Sequence, residues 1–490
     1  MRRRLLAALL APSVIGAQEV VLREPGPDRV ASIVRSAAAA PHVLRTGDGD
    51  LVLRRDTVID TSLLVIGRRT YLGAHVRGDV VVIGGDLFLR PGVNVDGRAV
   101  AIGGAVYQTM LGHVDGSVRS FRDDSYAISA TPRRIELTYT GRRPDAPPLL
   151  QGAGVQGLLL PSYDRVDGLS LPVGALVTLG QRVVEIQPTI TYRSRLGTID
   201  PGVIVRVAPE RAVRFEADVG RSTRTNDAWI YPNLLNSALA LALGNDTRNY
   251  FRATGGTARL IAHVESPTLV LEPFVGGRYE EIRPITAAGN VYSFSGRSSL
   301  EHMARPNPLV EPGIVTSALA GASLEYQSDP VNGRLRGEIE RGFRAPAGTS
   351  AFTQLTLDGR IAFPTFGQQR LRVDAHAVTT SGGAVPMARW AYLGRSGTLP
   401  LLELLEQGGD ELLFVDSRYE IPITAIVVQK VGSPTLFVRH LMGAAGVGSL
   451  PSLEQEIGVG VGLSVLRADV TFDVAGERDT RFGVGFFLAR

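Results

Sequence analysis

In the C-terminal two thirds of the chain, apolar and charged residues alternate in runs of about ten residues separated by turns. In the segment 335–344, one set of alternate positions carries Leu335, Ile339 and Phe343, and the other carries Glu338 and Glu340. Successive side chains of a strand point to opposite faces, so such a run has one apolar face and one charged face. The pattern predicts antiparallel strands with an apolar medium on one side and water on the other.

The number of these runs predicts the size of the sheet. About fifteen candidate strands fall within residues 161–490, and closed single-chain membrane barrels use even numbers, so we predict a transmembrane β-barrel of about 16 strands. A charged side chain that faces lipid at the midplane costs about 2–4 kcal/mol, so we expect the charged faces to line a wet lumen. The alternative is a large soluble β-sandwich, which would leave the charged faces in bulk water.

The first residues have the pattern of an export signal. Arg2, Arg3 and Arg4 precede an apolar stretch from Leu5 to Ile15, and the small residues Gly16 and Ala17 follow it. A basic segment, a short apolar segment and a small-residue cleavage site predict a signal peptide over residues 1–17. We interpret residues 18–45, which are rich in alanine, as a linker or short helix.

A different pattern fills residues 46–130, where short apolar phrases recur. Val65-Ile66-Gly67 returns as Val82-Ile83-Gly84 and again as Ala101-Ile102-Gly103, at intervals of 17 and 19 residues. Short β runs repeated between Gly and Asp turns predict a parallel β-solenoid of about four rungs. An ordinary β-meander is the alternative. The phrases resemble the bactofilin-type polymer-forming repeat.

Residues 131–160 contain four prolines and four arginines, which is typical of a linker. Ile135 to Tyr139 is one possible strand within it. We interpret the basic residues as a solvated segment, with a membrane-surface position as the alternative.

Four phrases in residues 161–490 resemble the bacterial surface antigen superfamily, which includes the outer-membrane assembly factor and two-partner secretion transporters. The phrases stand in the family's order. They are Tyr163-Asp164-Arg165-Val166-Asp167-Gly168-Leu169, Tyr392-Leu393-Gly394-Arg395-Ser396-Gly397-Thr398-Leu399, the strand from Leu413 to Ile423, and Ile457 to Leu463 with Leu466 to Val470.

The chain departs from that family's pattern at three places. The family's inward loop carries an Arg-Gly-aromatic tip that latches to the barrel wall, but Leu399-Pro400-Leu401-Leu402 stands here. The predicted solenoid stands where the family has chaperone-like modules, and the chain ends on Arg490 where the family often ends on an aromatic residue. The latch mechanism therefore does not transfer to this chain.

The resemblance implies an outer-membrane barrel that aids insertion, secretion or surface display of proteins or other polymers, with the N-terminal solenoid in the periplasm. The seam between the first strand, near Asp164, and the last strand, near Phe486, would be the working part. Glycines in the last strands, from Gly458 to Gly462 and at Gly483 and Gly485, would permit the seam to open. The alternative function is a passive pore or envelope anchor. The expected partners are outer-membrane lipid and a periplasmic protein that binds residues 46–130.

Composition and motifs argue against other classes of function. The formal net charge of +4 over 490 residues gives no reason to expect nucleic acid, and the chain has no cysteine. We find no P-loop, no G-x-S-x-G elbow and no metal spacing among the seven histidines, so we predict no cofactor, no metal and no enzyme activity. A barrel hydrolase using His302 with Glu301, or His440 with Arg439, is a distant alternative, and we name no catalytic residue.

Overall fold

The computed structural model describes residues 19–47, 49–108, 112–131, 134–141, 149–155, 157–180, 183–266, 268–285, 291–297, 302–328, 331–367, 369–395, 397–423, 433–463 and 466–486. The chain divides into two compact units, Met1–Pro144 and Asp145–Arg490. The predicted signal peptide, residues 1–17, lies outside the described residues. In the part of the chain that is described, no helix has both the length and the apolar composition of a membrane span.

The first unit consists of short strands and one helix. In chain order they are β1 (Glu19–Glu24), α1 (Asp28–Ala39), β2 (His42–Thr46), β3 (Leu51–Leu53), β4 (Val58–Ile59), β5 (Ser62–Ile66), β6 (Thr70–Leu72), β7 (His75–Val76), β8 (Val80–Ile83), β9 (Leu87–Leu89), β10 (Asn94–Val95), β11 (Ala99–Ile102), β12 (Val106–Gln108), β13 (His113–Val114), β14 (Val118–Phe121), β15 (Ser125–Ala130) and β16 (Arg134–Gly141).

Strands β2 to β14 form the predicted parallel β-solenoid. They stack into three parallel sheets, in the orders β2-β5-β8-β11-β14, β3-β6-β9-β12 and β4-β7-β10-β13. The register pairs Leu63 with Val80 and Val80 with Ala99, which reproduces the predicted intervals of 17 and 19 residues. Gly67 and Gly84 turn the chain after β5 and β8 with φ of 77° and 75°, a conformation that costs glycine little.

The five-stranded sheet is apolar on both of its faces. Val65 and Val82 point into the solenoid, whereas Leu64 and Val81 pack outward against α1 and β16. This double burial explains why the repeated phrases are continuous apolar runs instead of alternating ones. The solenoid core is therefore aliphatic and dry.

The structure confirms the short helix expected as one alternative in residues 18–45, and it shows that neither predicted linker segment is without strands. Residues 18–45 contain β1, α1 and most of β2. Helix α1 places apolar residues at helical spacing, Val30, Ile33, Val34 and Ala37, on the outer face of the five-stranded sheet. Residues 131–160 contain β16, which includes the predicted strand Ile135–Tyr139 and pairs with β1 and β15. Burial of these apolar stripes outweighs the Ala- and Pro-rich composition that predicted linkers.

The first strand of the second unit begins at residue 150, before residue 161, where the barrel was predicted to begin. Its elements are β17 (Leu150–Gly152), β18 (Ser162–Asp164), β19 (Gly168–Leu179), β20 (Val184–Arg193), β21 (Thr198–Val207), β22 (Val213–Arg224), α2 (Asn233–Leu243), β23 (Phe251–Ala262), β24 (Val264–Glu265), β25 (Leu269–Arg283), β26 (Gly313–Ser328), β27 (Val331–Arg344), β28 (Phe352–Pro364), β29 (Arg370–Gly382), β30 (Ala391–Leu393), β31 (Gln407–Gly409), β32 (Glu411–Pro422), β33 (Thr435–Gly446), β34 (Glu454–Leu463), β35 (Leu466–Asp473) and β36 (Arg481–Phe486).

All of these strands except β30 and β31 form one antiparallel sheet in sequence order, with 18 strands in the described residues. Strands β17 and β18 both pair with β19, and β23 and β24 both pair with β25. The 18 strands therefore occupy 16 positions in the sheet, which agrees with the prediction of about 16 strands.

The two faces of the barrel sheet have the predicted character. In β27, Leu335, Ile339 and Phe343 are about half exposed or more, whereas Glu340 between them is 4% exposed. Exposed aromatic side chains lie near both ends of the strands: Tyr192, Tyr279, Phe343, Phe472 and Phe482 near one rim, and Phe215, Tyr326 and Phe366 near the other. An apolar outer band with aromatic residues at both borders is the surface of a transmembrane barrel.

The two rims differ in the length of their connections. One rim carries the long connections 225–250, 284–312 and 383–410, and we call it the capped rim. The other, which we call the turn rim, carries shorter turns such as 208–212 and 365–369 and the point at which the chain enters the sheet. In outer-membrane barrels, long loops face outward and short turns face the periplasm.

Candidate functional site

The candidate functional site is the capped rim together with the lumen wall below it. Connection 225–250 carries a 3-10 turn, Asp227–Trp229, followed by helix α2. Connection 383–410 carries a second 3-10 turn, Met387–Arg389, and the two-stranded sheet of β30 and β31. These elements supply the side chains that hold the three connections to one another and to the wall.

Direct hydrogen bonds join the connections. The Asn226 side-chain amide donates to the carbonyl oxygens of Ala388 and Trp390, at 2.6 and 3.1 Å. The Met387 amide donates to the Glu311 carboxylate at 2.9 Å. Connection 383–410 is thereby bonded to both of the other long connections, so the three form one cap.

Arg389 anchors this cap to the barrel wall. Its guanidinium donates to Glu280 on β25 at 2.7 Å and to Glu340 on β27 at 3.0 Å. All three side chains are buried, and Glu340 also accepts from Ser317 and from Arg278. An arginine shared by two buried carboxylates fixes the cap strongly, because removing it would take one cationic partner away from each of two buried charges.

The turn between β18 and β19, near the start of the second unit, also holds the cap. Arg165, 2% exposed, donates to the Arg305 carbonyl at 2.7 Å and to Asn307, both in connection 284–312. It also donates to the Arg248 carbonyl in connection 225–250 at 3.2 Å. Arg165 therefore holds two of the three long connections against the turn between β18 and β19.

The other residues of that turn explain its sequence. The Asp164 carboxylate accepts from the amides of Val166 and Asp167, at 2.8 and 2.7 Å, which is the local bond that aspartate makes in tight turns. Gly168 has φ of +67°, and a Cβ there would approach the Ser194 hydroxyl to 2.6 Å. The phrase from 163 to 169 is thus a turn whose Arg165 bonds the cap.

Below this hairpin the wall carries a lattice of arginines around one carboxylate. Asp200 on β21 accepts from Arg252 at 2.6 Å, from Arg221 at 2.9 Å and from Arg193. Arg193 also bonds Asp167, which connects the lattice to the hairpin. Inward-facing charges of both signs therefore neutralise one another, and this part of the lumen has no selective single-sign ring.

The place where the resembled family has its arginine latch is apolar here. Leu399 and Leu402 are 0% and 1% exposed and pack with Phe414 and Leu441 of the wall. The Leu401 amide donates to Glu456 on β34 at 3.0 Å. Connection 383–410 is thus attached by leucines where the latch would be, and by Arg389 earlier in the same connection.

The glycines of residues 458–462 do not lie at the seam. They belong to β34, two strands before the edge, where a Cβ at Gly460 would meet the Phe437 ring at 2.5 Å and one at Gly458 would meet Arg439 at 2.8 Å. Their absent side chains make room for inward-facing Phe437 and Arg439. Their predicted role in opening the seam is therefore corrected, whereas Gly483 and Gly485 do lie in the edge strand β36.

The seam lies between the first and the last position of the sheet. The first position is divided into β17 and β18, of three residues each, and the last strand, β36, has six described residues. In the described part of the chain, no backbone pairing joins β36 to β17 or β18. In the middle of the strand order, opposite the seam, the pairs β25–β26 and β26–β27 are each in register over more than ten residues.

Burial shifts the pKa of one acidic group in the cap. Asp227 is fully buried, which raises its pKa to about 7, although the Asn249 amide and the cations Arg305 and Arg248 lower it in part. It borders a small cavity that Trp390 and Tyr392 also line. Burial also disfavours the charged form of Arg305 and lowers its pKa to about 9.

The alternative hydrolase residues do not assemble into a site. His440 and Arg439 are neighbours in β33 and point to opposite faces, with Arg439 buried in the lumen and His440 bonded to Gln455 on the other face. Glu301, proposed with His302, lies outside the described residues. The described ranges also contain no group of three His, Cys, Asp or Glu residues that could hold a metal ion.

The cap residues Arg389, Glu280 and Glu340 were not predicted from the sequence. Their separation along the chain is 49 residues or more, so no spacing rule brings them together. The alternation in the segment 335–344 predicted that charged residues such as Glu340 line a wet lumen, but it did not predict which residues bond them.

Solved structures with a partly similar course of the chain are outer-membrane proteins. CdiB from Escherichia coli is 10% identical with a TM-score of 0.41, over 74% of this chain and 66% of that one. BamA from Haemophilus ducreyi lacking POTRA domains 1–3 is 11% identical with a TM-score of 0.43, over 74% and 75%. OccK11 (OpdR) from Pseudomonas aeruginosa is 12% identical with a TM-score of 0.29, over 65% and 88%.

At these TM-scores the likenesses carry no argument about function. No family model matches the chain, and no curated protein matches it. The assignment as a membrane barrel rests on the strands, their register and their two faces.

Proposed function

We propose that the chain is an outer-membrane barrel that moves polypeptides or other polymers into or across the membrane by opening its strand seam. The observation that carries this proposal is the contrast within the sheet between its divided first position, where β17 and β18 have three residues each, and the long strands opposite it. Fewer ladder hydrogen bonds hold a short strand, so the seam is the part of the sheet that opens at the lowest cost.

The cap favours the seam over the lumen as the route. Connections 225–250, 284–312 and 383–410 are bonded to one another, and Arg389 fixes them to the wall through two buried carboxylates. A polymer that crossed through the lumen would have to break these buried ion pairs. A polymer that entered at the seam would not.

The proposed location follows from the direction of the strands. A basic and apolar N-terminus predicts export, and the chain enters the sheet at the turn rim. In an outer-membrane barrel this rim faces the periplasm, which would put residues 19–141 there and the cap at the cell surface. Fractionation and surface proteolysis of the cap connections test the location.

A seam that cannot open is the direct test of function. The chain has no cysteine, so Ser162→Cys in β18 and Phe482→Cys in β36 can be joined by thiol-reactive linkers of graded length in intact cells. We expect short linkers to abolish the chain's contribution to the profile of outer-membrane and surface proteins, and long linkers to restore it.

The matched control joins two strands that are already paired. Val173 on β19 and Ile190 on β20 are register partners and both exposed on the outer face. Linking cysteines at these positions should leave the profile unchanged. An unchanged profile with the short linker across β18 and β36 would contradict the proposal.

The second candidate function is a structural anchor of the envelope. The interlocked cap favours it, because a barrel closed at one rim is not an open passive pore. An anchor would tolerate every seam linker, whereas cells lacking the chain would still show an envelope defect. The linker series therefore separates the two functions.

A further inference from the structure

The solenoid carries one apolar face that no other described element covers. On the sheet of β3, β6, β9 and β12, the outward positions Val52, Tyr71, Phe88 and Tyr107 are partners in register. Val52 is 49% exposed and Tyr107 is 45% exposed. The outer face of the five-stranded sheet, by contrast, is buried under α1 and β16. We call the four residues the ring ladder.

The rings of the ladder are stacked on each other. The centroids of Tyr71 and Phe88 are 4.8 Å apart with 14° between the ring planes, and those of Phe88 and Tyr107 are 4.6 Å apart with 9°. Stacked rings cover each other's faces and turn their edges outward. The edge of an aromatic ring carries its partial positive charge, so the ladder presents positive edges to a partner.

Arginines add full positive charge to both ends of the ladder. The Arg90 guanidinium lies 5.1 Å from the centre of Tyr71, and that of Arg122 lies 6.0 Å from the centre of Tyr107. Arg54, which is exposed, directly follows β3 and lies two residues after Val52 in the chain. Within the described residues, none of these three arginines has a carboxylate within ion-pair distance.

We propose that the ring ladder, with Arg54, Arg90 and Arg122, is a docking face for an anionic phospholipid surface. Aromatic edges and aliphatic carbons suit the interfacial layer of a bilayer, and guanidinium groups bind its phosphates through paired hydrogen bonds. The face is a strip about 14 Å long without a pocket, which fits a flat surface better than an anchoring side chain. A glycan is a poorer fit, because sugars stack on ring faces and these faces are occupied.

The absence of cysteine allows the face to be tested in the intact chain. A nitroxide label at Val52→Cys reports on the ring ladder, and a label at Val58→Cys is its matched control. Val58 is 55% exposed in the same first rung but belongs to the sheet of β4, β7, β10 and β13. The full chain is placed in nanodiscs of phosphatidylcholine, with or without phosphatidylglycerol.

We expect phosphatidylglycerol to shield the Val52 label from a water-soluble relaxation agent and expose it to oxygen, and to leave the Val58 label unchanged. High salt should reverse the effect, since phosphate contacts of surface arginines are screened. Each of Arg90→Glu and Arg122→Glu should weaken the effect at least about fivefold, since one basic residue near an anionic surface contributes about that factor. These variants leave the ring stack in place.

Three results would overturn the proposal. One is a Val52 label that stays in water in every lipid. Another is equal shielding in zwitterionic and anionic discs. The third is shielding that appears only when soluble glycan strands or periplasmic proteins are added, which would assign the face to a polymer or a protein. None of these results bears on the seam, so the docking face and the proposed function fail independently.

Discussion

The interiors of the two units solve the same problem of burial in opposite ways. The solenoid interior is filled by aliphatic side chains such as Leu63, Val82 and Leu87. The barrel interior contains carboxylates and guanidinium groups that are equally buried, such as Glu280, Glu340 and Arg389. The first interior is stable because it excludes water, whereas in the second, buried charges such as Glu280, Glu340 and Arg389 are paired with charges of opposite sign.

The difference explains which interior can change its state. An aliphatic core contributes in proportion to the area it buries, and partial opening loses that contribution smoothly. A buried ion pair is favourable only while both partners are in place, so one displaced group releases its neighbours as well. We therefore expect the solenoid to act as a rigid platform and the cap to act as an all-or-none closure.

A charge placed in the solenoid interior tests the comparison with the largest expected effect. Val82→Asp puts an unpartnered carboxylate among aliphatic side chains and should destabilise the first unit by more than about 5 kcal/mol. Proteolysis of residues 19–141 in the full chain measures this. The same substitution at exposed Val58 is the control, and comparable protease resistance of both variants would show that the interior is not dry.

Removing the cap anchor should have the next largest effect. Arg389→Ala removes the cation that Glu280 and Glu340 share. Arg224 and Arg278 still bond these carboxylates, and we expect the loss of the shared buried partner to cost up to about 3–5 kcal/mol of cap closure. We expect higher conductance in planar bilayers and faster cleavage within connection 383–410.

The control for Arg389 is an arginine of the same barrel whose ion pair is exposed. Arg283 bonds Glu281 at 2.6 Å, but both side chains lie largely in water. Arg283→Ala should change neither conductance nor cleavage, since exposed pairs contribute about 0–1 kcal/mol. Equal effects of the two alanine variants would contradict the buried anchor.

The outer face of the barrel should reject charge that the inner face accepts. Ile339→Lys puts an ammonium group into lipid near the middle of β27 and should cost about 2–4 kcal/mol. The control, Thr356→Lys, lies at the same height on β28, where its register partner is inward-facing Glu338. Folding into lipid vesicles measured against urea should show the loss for Ile339→Lys alone.

How far the sequence predicts this molecule depends on how locally each feature is encoded. The strands and their two faces follow from period-two alternation, and the solenoid rungs follow from phrases repeated every 17 or 19 residues. Helix α1 was also encoded, at Val30, Ile33, Val34 and Ala37, but the alanine-rich composition left a linker and a short helix as alternatives. An amphipathic stripe is informative only when the surface that covers it is known.

The cap could not be predicted, because its bonds are non-local. Arg165 and Asn307 are 142 residues apart, and Arg389 and Glu280 are 109 apart. Alternation in the segment 335–344 predicted that Glu340 faces the lumen. No periodicity specifies which loop residue reaches them, so the pairing of cap and wall needs the three-dimensional structure.

The last expected effect concerns the protonation of the cap, which is seen only when the pH is changed. The pKa of Asp227 rises to about 7 on burial, from an ordinary value of 3.8. Between these values an opened cap carries the carboxylate ionised and a closed cap carries it protonated. Closure therefore takes up a proton, is complete in acid and weakens by up to about 1.4 kcal/mol per pH unit until the pH passes about 7.

Asp227→Asn should remove this dependence, because the amide keeps the shape of the carboxyl and does not titrate. Conductance of the wild type should rise between pH 5 and pH 7 and level off by pH 8, whereas that of the variant should stay flat. Stopping at pH 8 keeps Arg305 protonated, since its pKa is about 9. A rise in the variant equal to that in the wild type would assign the dependence to another group. A wild-type conductance that does not change between pH 5 and pH 8 would mean that water reaches Asp227 in the closed cap. This part of the cap would then be hydrated, as the lumen wall is.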